Sequence, residues 1–177
     1  MVFKNNEDVL AYTESEWGTL RPNYFSDYII PVVEHKSWAH TQNPIPGLMP
    51  KAVNFIHSKL AKGVYKPSQG SYQSQWFFEL EKDGGLQPLI NLQTLNSVMI
   101  QDAGLPPIIN SFIEPFAGYS VYSGFELLSR YDTRRLHSKS RDLTSFQTPL
   151  GLLRYTCLPQ GFTNSVAEFQ NCVTFIL

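Results

Sequence analysis

Cysteine is scarce in this chain: Cys157 and Cys172 are the two present among 177 residues. They show no paired spacing, so neither a zinc site nor a disulfide framework is expected, and both read as small buried apolar residues in a reducing compartment. Long hydrophobic runs are also missing. Met1 to Asp8 holds no apolar core of signal-peptide length and nowhere does the chain approach a membrane span, so an intracellular protein with no membrane segment is expected. Charge of one sign is not in excess: 14 Lys and Arg against 15 Asp and Glu leave a net charge of −1. That argues against a surface that is basic throughout and binds nucleic acid by charge alone. Internal repeats and low-complexity tracts are absent as well.

What is present describes a folded protein. Hydrophobic residues make up 42% and aromatics 14% of the chain, enough for one good core, or one domain with a small subdomain. Residues 1–50 read as an irregular approach segment. A short helix is expected within Val2 to Trp17, with Val9 and Leu10 facing inward. Tyr28 to Val33 is β-branched and extended, and Pro31 keeps it off a central strand position. His35 and His40, five apart on extended chain, do not share a face as ligands and read as surface or packing residues. Thr41 to Pro50 is a proline-rich connection.

Pro50 then opens a helix with Val53, Ile56 and Leu60 on its buried stripe and Gly63 as the residue that ends it. Lys51, Lys59 and Lys62 read as its solvated face. A hairpin follows: Trp76 to Leu80, a turn at Lys82-Asp83-Gly84-Gly85, then Leu86 to Leu92. Asp-Gly between apolar runs signals the turn, and Pro88 marks an edge strand. Pro106-Pro107 starts a helix through Ile109, Phe112, Ile113 and Phe116, with Pro115 disturbing its last turn. Tyr119 to Leu128 reads as a strand, Tyr131 to Leu136 as a helical turn, and Leu143 to Cys157 as a second hairpin turning at Thr148-Pro149-Leu150-Gly151. This order predicts an α+β fold with an antiparallel sheet.

The last fifth organises the rest. Pro159 and Gly161 force a stiff, tight loop that presents the Gln160 amide on a bend. Ser165 and Glu168 form an S-x-x-E capping box, and Val166, Phe169, Val173 and Ile176 give the following helix its buried stripe.

Taken in order, Gly63-Val64-Tyr65-Lys66-Pro67-Ser68, Lys82-Asp83-Gly84, Leu95-Asn96, Tyr131-Asp132, Phe146-Gln147-Thr148-Pro149-Leu150-Gly151, Leu158-Pro159-Gln160-Gly161-Phe162-Thr163-Asn164-Ser165 and Phe169-Gln170 resemble the reverse transcriptase of gypsy-type long-terminal-repeat retrotransposons. The variant found in fungal elements is the one most resembled. The resemblance implies the fingers (51–118) and part of the palm (119–177) of a right-hand polymerase. Its reaction is RNA-directed DNA synthesis by two-metal nucleotidyl transfer, with Mg²⁺ held by hard oxygen ligands. Implied partners are an RNA or DNA template-primer and a deoxynucleotide. Gln160 and Gly161 would contact the incoming nucleotide, Tyr131 would lie under its sugar, and Lys82 and Gln87 would stand on the hairpin that closes over the triphosphate.

Departures from the family pattern bear on activity. Glu126 stands where the first palm aspartate is usual, as a metal ligand and catalytic carboxylate. One extra methylene moves that carboxylate by ~1.5 Å, against metal-ligand tolerances of about ±0.2 Å. Arg130 replaces a glycine, and Gln87 replaces an arginine whose forked charge an amide does not supply. The family's Tyr-x-Asp-Asp hairpin is expected beyond the helix that begins at Ser165, so a module inactive on its own is expected, with self-association through exposed palm surface. The alternative is a nonenzymatic RNA-binding or protein-interaction module.

Overall fold

A computed structural model describes residues 16, 18–41, 49–80, 86–104, 113–122 and 130–176. The helix expected near the N-terminus, the turn at 82–85, most of the helix after Pro106 and the segment holding Glu126 lie outside the described residues.

Helix α1, Met49–Ala61, buries Ala52 and Ile56, with Val53 and Leu60 half-buried beside them. Its end is a Schellman motif. The Gly63 N–H donates to the Leu60 carbonyl at 3.0 Å and the Val64 N–H to the Lys59 carbonyl at 3.0 Å. This closure needs a left-handed residue, supplied by Gly63 at φ 72°. Lys59 departs from the solvated face expected of it, because its ammonium is drawn 2.6 Å from Asp132.

Strand β1, Tyr65–Pro67, leaves α1 and pairs antiparallel with β5, Gly151–Tyr155, which pairs in turn with β4, Phe146–Thr148. The second hairpin therefore forms as expected, with Thr148 opposite Gly151 and Gly151 at φ 108°. Single bridges widen this sheet. Leu136 takes the Thr156 carbonyl at 2.8 Å, and the Tyr28 N–H reaches the Arg135 carbonyl at 2.9 Å. The core sits under the sheet: Phe146, Leu153, Leu158 and Phe162 are each no more than 2% exposed. Tyr65 makes edge-on ring contacts with Phe146 and Tyr155 at 5.1 and 4.9 Å. Rings packed this way add about 0.5–1.5 kcal/mol per pair beyond their buried area.

The first hairpin is β2, Trp76–Leu80, against β3, Leu86–Ile90, a separate two-stranded sheet. Pro88 pairs with Phe78 and costs no ladder bond, because both strands are edges among the described residues. A short helix, α2, Gln93–Val98, follows, an element the sequence reading did not anticipate.

The N-terminal segment behaves as Pro31 requires. It is extended and held by isolated contacts: Val33 N–H to the Val98 carbonyl at 2.9 Å and Ile100 N–H to the Pro31 carbonyl at 2.8 Å. His35 packs among Trp38 and Tyr72 and hydrogen-bonds the Tyr72 hydroxyl, while His40 meets Thr94 at the surface. His35 is thus a packing histidine and His40 a surface one.

Residues 119–122 are exposed and irregular, so the described part of the strand expected at Tyr119 is not one. Val121 is 81% exposed and Tyr119 and Tyr122 are also open, and no neighbour strand among the described residues holds them. Glu114–Phe116 is a 3₁₀ turn containing Pro115. Arg130–Thr133 forms the expected helical turn, α3 spans Ser138–Arg141 and α4 spans Asn164–Ile176. No helix among the described residues is long and apolar enough to cross a membrane.

Helix α4 departs from its expected cap and stripe. It starts at Asn164, the Ser165 hydroxyl donates to the Pro159 carbonyl at 3.0 Å, and Glu168 is taken by Arg134. No capping box therefore forms. Val166 and Ile176 are 54% and 61% exposed, while Asn164, Ser165 and Cys172 are buried. The polar groups go inward because the chain leading into the helix offers them carbonyl and amide partners there, which no apolar residue could use.

Candidate functional site

The loop from Leu158 to Thr163 is built from the inside outward. Leu158 donates its N–H to the Arg134 carbonyl at 2.9 Å, and Leu158, Pro159 and Phe162 are buried. Between them Gln160 is exposed, and Gly161 turns the chain at φ 87°. Asn96 on α2 clamps the far side: its amide nitrogen donates to the Gly161 carbonyl at 3.0 Å and its oxygen accepts the Thr163 N–H at 3.1 Å. Asn164 then ties the loop to the N-terminal segment. It accepts the Asp102 N–H at 3.0 Å and donates to the Ile100 carbonyl at 3.0 Å. The Gln160 side chain thus leaves a backbone fixed at both ends.

Tyr131 approaches the same helix from the Arg130–Thr133 turn. Its ring stands edge-on to Phe169 of α4 at 5.9 Å. The Arg130 guanidinium lies over the ring, 4.8 Å from its centre, and donates to the Tyr131 hydroxyl at 3.2 Å. One helix therefore carries both features: its first residues end the Gln160 loop, and Phe169 backs Tyr131. A buried ion pair holds the turn to the helix. Arg134 lies 2.6 Å from Glu168 and also donates to the Ser26 carbonyl, with the Tyr28 ring 5.9 Å from its guanidinium carbon.

Asp132 faces elsewhere. Lys59 holds one of its oxygens, and the Cys157 thiol points to the other at 3.7 Å. Burial, followed by the neighbouring Asp132 charge, pushes the Cys157 thiol far above its ordinary range, so it is an inert proton donor rather than a nucleophile. Both cysteines are free and buried, as expected.

Gln160 and Gly161 thus lie on the loop leading into α4, and Tyr131, on its own turn, packs against Phe169 of that helix. Glu126 and Lys82 lie outside the described residues. Gln87 is placed on β3 by its backbone, opposite Glu79. Among the described residues no group of three or more His, Cys, Asp or Glu side chains is placed to hold a metal ion, and Asp132 is committed to Lys59. The supporting roles of Asn96, Asn164 and Arg134 escaped the sequence reading. Asn96 and Asn164 were within the motif series without a role, and the Arg134–Glu168 pair had no local signal, since its partners are 34 residues apart.

This fold, a mixed α+β arrangement with two antiparallel sheets among the described residues, is that of a reverse transcriptase. Over 99% of the chain it superposes on the prototype foamy virus protease-reverse transcriptase with a TM-score of 0.81 at 18% identity, covering 24% of that chain. The foamy viral enzyme in complex with an RNA/DNA hybrid gives 0.80 at 16% identity, covering 99% of this chain and 24% of that one. In sequence, the chain is similar to a retroelement polyprotein. It is 22% identical over 178 residues to the transposon Tf2-3 polyprotein of Schizosaccharomyces pombe, with 99% of this chain and 13% of the polyprotein covered. The Tf2-4 polyprotein of the same yeast matches equally well. The chain therefore spans about one eighth of the length of the curated relatives it matches. No family model matches it.

Proposed function

We propose that this chain is the fingers and palm portion of a gypsy-type retrotransposon reverse transcriptase, and that the Gln160 loop and Tyr131 form its deoxynucleotide site. The observation that carries the reading is the shared support of the two features. Asn96 fixes the loop that presents Gln160, and α4 holds both that loop and, through Phe169, Tyr131. An exposed amide on a fixed loop and an aromatic ring packed on the same helix suit a base and a sugar once the Arg130 guanidinium swings off the ring, and fixed groups lose little entropy on binding.

In this reading the β2–β3 hairpin is the fingers, Lys82 and Gln87 lie toward the triphosphate, and Glu126 stands at the metal-ligand position. Mg²⁺ would supply Lewis-acid activation of the triphosphate, and the template-primer would be RNA or DNA. Solved foamy viral relatives in complex with double-stranded DNA and with an RNA/DNA hybrid support that partner class. Arg130 adds a cation that the family pattern lacks, and its stack holds Tyr131 in one orientation. In this reading Glu126 weakens metal binding and Gln87 weakens the hold on the triphosphate. The test is primer extension with Glu126→Asp and Gln87→Arg in the natural polyprotein context. Recovery of Mg²⁺-dependent extension supports the assignment. No gain from either substitution, alone or together, removes Glu126 from the metal site.

A second reading, a protein-interaction module, is favoured by the open apolar residues Ile113, Phe116, Val121 and Tyr122. Side chains this exposed favour self-association, which sedimentation velocity across a concentration series measures.

A further inference from the structure

A cavity of about 260 Å³ opens between the end of α1, the start of β1 and the chain from 132 to 141. A single water needs only about 10–15 Å³ by the same kind of measure, so a phosphate group with several waters fits. Four cations line it, Lys62, Lys66, Arg135 and Arg141, together with one carboxylate among the lining residues, Asp132. That carboxylate is already neutralised from α1 by Lys59 at 2.6 Å. Asp27 is shared between Arg135 at 3.6 Å and Arg141 at 3.9 Å, too long for tight charge-assisted hydrogen bonds. The cavity is thus cationic in a chain whose net charge is −1, a concentration of positive field at one place.

Its walls are fixed where it matters. The Thr156 hydroxyl donates to the Gly63 carbonyl at 2.7 Å, and Arg141 donates to the Leu136 carbonyl at 2.9 Å, so one guanidinium is held in place. Arg135 is 48% exposed and can swing to complete a fork around an anion. The site is distinct from the proposed nucleotide site: within one helical turn, Asp132 faces this cavity while Tyr131 faces Phe169.

We infer that this cavity is a phosphate-binding site, formed by Arg135, Arg141 and Lys66. The phosphate is either a free phosphate or one phosphodiester of a nucleic-acid strand passing over this face. The inference does not depend on the nucleotide reading. It is tested by titrating ¹⁵N-labelled protein with inorganic phosphate and, separately, with single-stranded decathymidylate. The expected result is that amide shifts cluster at Gly63, Val64, Asp132 and Thr156. A Lys66→Gln/Arg135→Gln double variant should weaken binding at least tenfold, whereas a charge-matched control, Lys36→Gln/Lys51→Gln on exposed surface, should not. Arg135→Lys, which keeps the charge, guards against a folding artefact and should retain most of the binding. If decathymidylate binds and the double variant lowers its salt slope by about 1.4, the ligand is a phosphodiester, since each single-strand phosphate contact contributes about 0.7. If inorganic phosphate binds and decathymidylate does not, the ligand is a free phosphate. The inference is overturned if neither moves those amides, or if the double variant binds like the parent.

Discussion

Replacing Arg134 tests how the site is held together. The side chain is only 8% exposed and contacts three parts of the fold: Glu168 on α4, the Ser26 carbonyl, and the Tyr28 ring. In Arg134→Met the packing volume is largely kept, but Glu168, 14% exposed, is left without its cation. Removing one partner of a buried pair costs about 3–5 kcal/mol, mostly through the stranded charge. For a chain of this size each kcal/mol moves Tm by roughly 2–4 °C, so a fall on the order of 10 °C is expected. The double variant Arg134→Met/Glu168→Leu should recover most of the loss, because replacing both partners with apolar groups is often nearly neutral. Thermal melts followed by circular dichroism, arranged as a double-mutant cycle, measure this directly. A single-variant loss below about 1 kcal/mol, or a double variant with strictly additive losses, would refute the view that this pair clamps the Tyr131 turn to α4.

Gly70→Ala should cost about 1–3 kcal/mol in urea unfolding. An added Cβ would lie 2.8 Å from the Asp142 side chain, which is pinned by Ser68 and Arg154 and has little room to retreat. Asn96→Ala removes both clamps on the Gln160 loop; a loss of about 1–2 kcal/mol in stability and faster hydrogen exchange at Gly161 and Thr163 are expected. Alkaline pH should destabilise the fold. Burial, its largest cause, raises the Tyr65 and Tyr155 phenols and the Cys157 thiol. The unfolded chain gives up these protons near pH 8.5–10 while the folded chain keeps them. Stability is therefore complete below that window and declines as pH rises through it, visible as falling urea midpoints between pH 8 and 11.

The sequence was most legible where one residue dictates local geometry. Gly63 ended α1 as expected because its helix needed a left-handed residue. Pro149 and Gly151 located the second hairpin, and Pro31 held its segment to isolated bridges. Legibility failed where tertiary partners decided the outcome. The apolar spacing on α4 suggested Val166 and Ile176 as core, yet the loop carbonyls and Arg134 drew Ser165 and Glu168 instead. Lys59 looked like a solvated lysine until Asp132, 73 residues away, came within 2.6 Å. The proposed site is read from a motif, in Tyr131 and the Gln160 loop. Its scaffolding was not legible, because Asn96, Arg134 and Asn164 act across long sequence separations that no local period encodes.

The most direct test of the proposed nucleotide site is a titration of the ¹⁵N-labelled protein with deoxythymidine triphosphate and Mg²⁺, read at the amides of Tyr131, Gln160 and Gly161. The account predicts saturable shifts at these three positions, weakened at least fivefold by Gln160→Ala. Shifts confined to the cavity amides Gly63 and Thr156, or none at all, would contradict it.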